Sequence, residues 1–262
     1  MTSKEQFDRQ APHYNAQWNQ WSEKGLRWLL DHAHCTSKDR LLDVATGTGF
    51  TALAFAPLVA EVVGLDVSEG MLNRARAQAA AVPNVTFEKG AAEEMPFPDA
   101  SFDVMTCRVA PHHFLSLPKF LAEAHRVLRP GGRLLITDSS VPDDAPDIDA
   151  WQNKVELLRD PSHNRNYSPK EWQSNVERAG LHVEKVDRCD ESVPITLNDW
   201  LEKSGCTGSA EEAVRRMFAE APEAVRREFS IHALPDGDTA FQWMRVVLAA
   251  TKPNRFPSSP PP

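Results

Sequence analysis

Several features are scarce in this chain of 262 residues, and each scarcity removes a class of protein. No apolar run reaches the ~18 residues a membrane-crossing helix needs, so no membrane insertion is expected. The leading MTSKEQFDRQ is polar and lacks the apolar core of a secretory signal, and a cytoplasmic location is expected. Cys35, Cys107, Cys189 and Cys206 are scattered without metal-ligand spacing, which reads as reduced thiols and leaves no metal expected. Cys107 reads as a small buried residue rather than a catalytic one. Lys/Arg-rich blocks are also missing, and the formal net charge is −8. An acidic chain without a basic block suits no polyanion, so nucleic acid is excluded as a partner. No internal repeat is visible.

What is present begins with 41% apolar residues, ample for one α/β domain carrying an insertion. The densest signal is RLLDVATGTG at 40–49. An apolar run ends in Asp43 and breaks into a Gly47-x-Gly49 turn that feeds the helical FTALAFAPLVA. Such a run, bounded by glycine, reads as a buried parallel strand. The glycines allow close backbone approach to a ligand at a new helix N-terminus. Nineteen residues beyond Gly47, Asp66 closes a second strand, EVVGLD, where a carboxylate can accept from both hydroxyls of a ribose. VTFEKG, SFDVMTC and GRLLITD read as three further strands, the last starting where RPGG stops a helix with Phe120, Leu121, Ala124, Val127 and Leu128 on one face. Alternating strands and helices predict a doubly wound, mostly parallel sheet covered on both faces.

These residues closely resemble the class I S-adenosylmethionine-dependent methyltransferases, in the small-molecule branch that includes the ubiquinone and menaquinone C-methylases. DVATGTG is similar to the first motif, GLDVSEGML to the second, GAAEEMPF to the third, and SFDVMTCRVAPHHF with EAHRVLRPGGRLLI to the fourth and closing ones. The resemblance is dense over Arg40 to Asp138 and looser elsewhere. It implies a seven-stranded Rossmann-like sheet, S-adenosylmethionine as cofactor, and in-line methyl transfer to a small-molecule O, N or C acceptor, giving S-adenosylhomocysteine. Asp43 would meet the cofactor's ammonium and Asp66 its ribose; Gly47 and Gly49 would give backbone room, and Val67 and Met71 apolar surface for adenine. Relatives commonly carry Gly-Asp-Ala-Glu in the third motif, whereas this chain has Gly90-Ala91-Ala92-Glu93. Ala91 cannot accept from the adenine amino group, leaving the Ala92 N–H and Glu93 to hold the ring. That loss is worth about 1 kcal/mol.

Residues 1–39 show no strand signal and are expected to form an N-terminal helical lid, with Tyr14 where the resemblance places a cofactor-covering aromatic. The alternative is that Trp18, Trp21, Trp28 and their neighbours dock helices onto the sheet. The core is expected over 40–188, a helical cap over 189–238, the last strand over 239–252 and a disordered Pro-rich tail over 253–262. YSPKEW predicts a helix start, with Ser168 as N-cap, Pro169 at N1 and Glu171 at N3. Asp143, Asp144, Asp147 and Asp149 read as a solvated loop entering a helix, with a hard-cation site as the alternative.

A base is needed only where the acceptor must lose a proton. His112 and His113 follow the fourth strand, at the carboxyl end of the sheet, and are the catalytic candidates; shaping the pocket is their other reading. Arg108 is counted with the cofactor residues, with an anionic acceptor or a local acid as other partners. His163 and Arg165, in the dense polar run 159–165, are candidates to grip a carboxylate or phosphate of the substrate. A small, largely apolar acceptor with one polar or anionic handle is expected, and a homodimer is left open. The rival readings are an NAD-dependent oxidoreductase, since GTGFTA fits G-x-G-x-x-A, and a cofactor-binding enzyme or regulator that transfers no methyl group.

Overall fold

The computed structural model describes residues 2–10, 23–190 and 194–254. Tyr14, Trp18, Trp21 and the tail from 255 onward lie outside the described residues. Ten strands are described: β1 (Arg40–Val44), β2 (Glu61–Asp66), β3 (Val85–Lys89), β4 (Phe102–Arg108), β5 (Leu128–Ser139), β6 (His182–Asp190), β7 (Ile195–Thr196), β8 (His232–Ala233), β9 (Thr239–Phe241) and β10 (Met244–Thr251). Seven of them make one sheet in the order β3-β2-β1-β4-β5-β10-β6. β1 pairs in parallel with β2 and β4, β2 with β3, and β4 with β5; β10 runs antiparallel between β5 and β6. The expected doubly wound, mostly parallel Rossmann-like sheet is therefore present, and strand order reverses between β1 and β4.

Alternate residues of each strand serve opposite faces. Leu41, Val62, Leu135 and Ala249 enter one core with α2 (Glu23–His32), α3 (Phe50–Phe55) and α4 (Glu69–Gln78). Leu42, Val63, Leu134, Ile136 and Leu248 enter the other, with α5 (Leu117–Val127) and α7 (Pro169–Arg178). α7 starts where its sequence says: Ser168 accepts from the Glu171 N–H while Glu171 accepts from the Ser168 N–H. Its Trp172 is fully buried, and truncating such a side chain costs about 3–5 kcal/mol.

A third apolar cluster lies beyond the sheet. α6 (Pro146–Arg159), α8 (Leu197–Ser204), α9 (Gly208–Ala219) and α10 (Glu223–Glu228) surround Trp200, Val214, Phe218, Phe229, Phe241 and Trp243. The short antiparallel sheet β7-β9-β8 belongs to this unit. The segment expected as one last strand over 239–252 is consequently divided. Thr239–Phe241 pairs with the small sheet and Met244–Thr251 with the large one, because the buried Trp243 between them anchors the crossing. RPGG also differs from expectation. It lies inside β5 as an irregularity, with Gly131 at φ +79° and a register shift opposite Phe102 and Val104.

The two described helices of the leading segment sit in different places. α1 (Ser3–Gln10) crosses to the cavity described below, whereas α2 packs on the sheet: a Cβ on Gly25 would sit 2.8 Å from the Thr137 hydroxyl. Trp28 stacks on His32 at 4.1 Å. The docking reading of the aromatics thus holds for α2. The four aspartates are engaged in protein contacts or a helix start: Asp143 accepts from the Lys170 N–H, Asp144 pairs with Lys170, Asp147 sits in the first turn of α6, and Asp149 pairs with Arg165.

Candidate functional site

A cavity of about 540 Å³ opens at the carboxyl ends of β1, β2, β4 and β5 and runs beneath the helical insertion. That is where open α/β sheets bind ligands, and its size suits a small-molecule site. Two strained turns shape it. Ala45, just after β1, has φ +54°, and Val109, just after β4, has φ +53°. A β-branched residue there is a genuine outlier, and such strain concentrates at functional sites. The Val109 turn redirects the chain so that a single 3-10 turn, Pro111–His113, puts two imidazoles into the cavity wall.

Asp43, Gly47, Asp66, Val67, Met71, Ala91, Ala92, Glu93 and Arg108 all line one end. Asp43 is almost wholly buried and accepts from the Thr46 hydroxyl at 2.6 Å and the Thr106 hydroxyl at 2.8 Å. Burial pushes its carboxyl up to about 6, against the pull of those hydroxyls and of Arg108. Asp66 accepts from the N–H of Gly47 at 2.8 Å and of Ser68 at 2.9 Å; burial raises it as well. Gly47 has φ +54°, and a Cβ there would meet nothing within 4 Å. The loop therefore offers an open backbone cradle toward the cavity. Gly49 is different. It caps α3 in the left-handed conformation, does not line the cavity, and a Cβ on it would press the Phe87 ring at 3.0 Å and Ala75 at 3.2 Å. A side chain there would crowd that packing, so the position favours glycine. Glu93 accepts from the Leu115 N–H at 2.9 Å. Arg108 donates to the Thr51 hydroxyl at 2.9 Å with its guanidinium over the Phe50 ring.

The other end is built on histidine. His112 Nδ1 and Asp138 Oδ1 lie 2.5 Å apart, and the other Asp138 oxygen accepts from the His112 N–H. Asp138 is the penultimate residue of β5, the strand next to β4. Burial pushes Asp138 up to about 7 and, with Arg245 beside it, drives His112 down to about 3. At this separation the protonation of one group bears directly on the other. His113 Nδ1 faces both the carbonyl and the hydroxyl of Ser162. A carbonyl only accepts, so Nδ1 carries the hydrogen. Burial and then His112 lower His113 to about 4, and the ring packs edge-on to Phe7 of α1. His163 completes a row, 5.7 Å from His112 between ring centroids. Its Nε2 meets Asn153 Oδ1, and its buried Nδ1 has no partner among the described residues. Arg165, expected beside it, faces away and pairs with Asp149 and Glu171. Those carboxylates hold it, and it is not among the residues lining the cavity.

Comparison with known proteins decides the class. A methyltransferase domain model matches residues 42–136. The uncharacterized methyltransferase YcgJ of Bacillus subtilis (strain 168) is 34% identical over 250 residues, covering 95% of this chain and 98% of that one. The chain belongs to the class I S-adenosylmethionine-dependent methyltransferases. The crystal structure of YcgJ superposes with a TM-score of 0.83 at 34% identity, over 88% of this chain and 99% of that chain. A demethylmenaquinone methyltransferase of Symbiobacterium thermophilum is 39% identical over 53% of this chain and 59% of its own length. This methyltransferase therefore matches YcgJ in structure over 88% of its length and the quinone-named relative in sequence over a little more than half. The open cradle at Gly47 and the carboxylates of Asp43 and Asp66 fit a cofactor carrying an ammonium group and a ribose.

Glu156, Lys203 and Arg245 line the cavity and escaped the sequence, as did Asp138, the partner of His112. Asp138 had a usable signal, an acid closing an apolar strand. Arg245 had another, a lone charge in the otherwise apolar MRVVLAAT, where it is 5% exposed. Glu156 and Lys203 sit in ordinary amphipathic helices and carry no local mark.

Proposed function

We propose that this methyltransferase acts on a small molecule held beneath its helical insertion, and that the His112–Asp138 pair receives a proton from that acceptor. S-adenosylmethionine, when bound, supplies a methyl group already activated on its sulfonium, so the reaction class is in-line displacement with S-adenosylhomocysteine as co-product. Asp66 would accept from the ribose hydroxyls, since a carboxylate already bonded to two N–H groups retains acceptor capacity. Asp43 would meet the ammonium, which also lowers its raised carboxyl. Val67, Met71 and Ala92 would face adenine, with Glu93 and the Ala92 N–H at its edge and Arg108 near the carboxylate end. α1, whose Ser3, Lys4 and Phe7 line the cavity, and the insertion would cover the site and exclude water.

The observation that carries the base is the short Asp138–His112 contact. With Nδ1 held by the carboxylate, Nε2 is the nitrogen left to take a proton, the arrangement by which an acid orients an imidazole base. A proton taken at Nε2 is balanced by the Nδ1 hydrogen passing to Asp138, whose carboxyl burial raises to about 7. Phenols and activated carbons need this help; acceptors that already present a lone pair do not.

The test uses an acceptor found by screening. His112→Ala and Asp138→Asn should each lower kcat about 100-fold or more while S-adenosylhomocysteine binds within twofold of the parent. The pair acts with Asp138 ionised and His112 neutral, so kcat should fall as pH drops through about 7. Near-normal turnover in both variants across that range would make the histidines structural.

A further inference from the structure

We infer that the inner end of the cavity is a subsite for an oxyanion, a carboxylate or phosphate carried on a flat apolar acceptor, with Arg159, Lys203 and Arg245 as its ligands. The inference rests on the proposed methyl transfer only in taking the occupant to be the acceptor.

Three cations from separate elements line this end: Arg159 from the last turn of α6, Lys203 from the last turn of α8, and Arg245 from the start of β10. Placing like charges together in a buried site is unfavourable, and the Lys203 ammonium shows it. Burial pushes it well below the ordinary lysine value, and Arg159, Arg245 and Arg108 push it further. Three carboxylates face the group: Glu156, Asp160 and, beside Arg245, Asp138. Asp160 is already taken by the N–H and hydroxyl of Ser162. Glu156 is raised by burial to about 7 and stands 3.9 Å from Arg159, an ion-pair separation rather than a hydrogen bond. Burial raises both Glu156 and Asp138 to about 7, which weakens the compensation these acids give the three basic groups.

Arg159 is also set in advance. Its Nε donates to the Trp200 carbonyl at 2.9 Å, and its guanidinium lies 4.4 Å over the Trp200 ring. That fixes the plane and presents the two Nη groups, the fork that matches a carboxylate or phosphate. Arg245 is held by the Ser139 hydroxyl at 2.6 Å. Apolar wall comes from Ile195, Trp200 and Trp243. The Trp243 indole N–H, a donor and nothing else, is buried without a partner among the described residues. Donors, positive charge and aromatic walls converge on one place, and none of it depends on Arg165.

Titration calorimetry on the intact protein, with and without saturating S-adenosylhomocysteine, tests this with 2-naphthoate, 2-naphthyl phosphate and the uncharged 2-naphthamide. The subsite predicts that one anion binds at least tenfold more tightly than the amide. A tenfold preference for phosphate over carboxylate would identify a phosphate ester as the source, and the reverse a carboxylic acid. Arg159→Gln and Lys203→Met should each cut the anion preference fivefold or more and leave the amide within twofold. Equal affinity for anion and amide in the unmodified protein overturns the inference without recourse to any variant. So does failure of all three probes to bind, or an equal loss for anion and amide in the variants. Failure of S-adenosylhomocysteine to bind while the anion preference persists would remove the methyltransferase reading and keep the subsite. Cofactor binding without anion preference would remove the subsite alone.

Discussion

Asp66 illustrates how one side chain serves both fold and ligand. Its oxygens accept from Gly47 and Ser68, tying the glycine loop to the start of α4, and it faces the cavity. Asp66→Ala should weaken S-adenosylhomocysteine binding at least tenfold, as two charge-assisted hydrogen bonds at about 1.5 kcal/mol or more each would imply. It should also cost about 1–3 kcal/mol of stability, because two N–H groups lose their acceptor. Calorimetry and thermal melts separate the effects, and unchanged affinity in a folded variant would remove the ribose assignment. Residues whose partners lie nearby were readable from sequence, as Asp43, Gly47 and Asp66 were, since strand end, turn and offset are local features. His112 was readable as a candidate, but not its partner. Asp138 reaches it only because β4 and β5 are neighbours, a fact of topology rather than of spacing.

At the scale of elements, α1 is held by the edge of Phe7 against His113 and by a set of polar contacts. Asp8 accepts from the Ser68 hydroxyl at 2.5 Å and the Gly70 N–H at 3.4 Å, Gln6 donates to the Ser204 carbonyl, and Ser3 donates to the His113 carbonyl. An element fastened this way opens at low cost, as a cover must. Because Asp8 is partly exposed, its contacts are worth about 1 kcal/mol, so Asp8→Ala should weaken S-adenosylhomocysteine binding roughly fivefold. Amide exchange over 3–10 should quicken. Unchanged exchange and affinity would show that α1 is not held through Asp8. The helices legible in sequence were those with caps or a strong apolar face, notably α5 and α7. The fate of 239–252 was not, because both strands there are apolar and only the buried Trp243 marks the crossing between sheets.

Across the whole molecule, the cavity concentrates acids whose neutral form the fold favours. Glu156 is raised from an ordinary value near 4.5 to about 7. Its contribution to stability is therefore intact below the unfolded value and is lost as pH rises through about 7. Glu156→Gln has no proton to lose, so its melting temperature relative to the parent should rise between pH 5 and pH 8 by about 3 °C or more. A constant difference across that range would mean Glu156 is ionised and fully compensated.

The central claim is methyl transfer to a small molecule in this cavity. It is tested most directly by incubating the protein with S-adenosylmethionine deuterated at the transferable methyl and a pool of cellular small molecules, then searching for the label by mass spectrometry. The account predicts at least one labelled small molecule, with S-adenosylhomocysteine formed alongside, and loss of both in Asp66→Ala. A protein that binds S-adenosylhomocysteine yet labels nothing across the pool would contradict it.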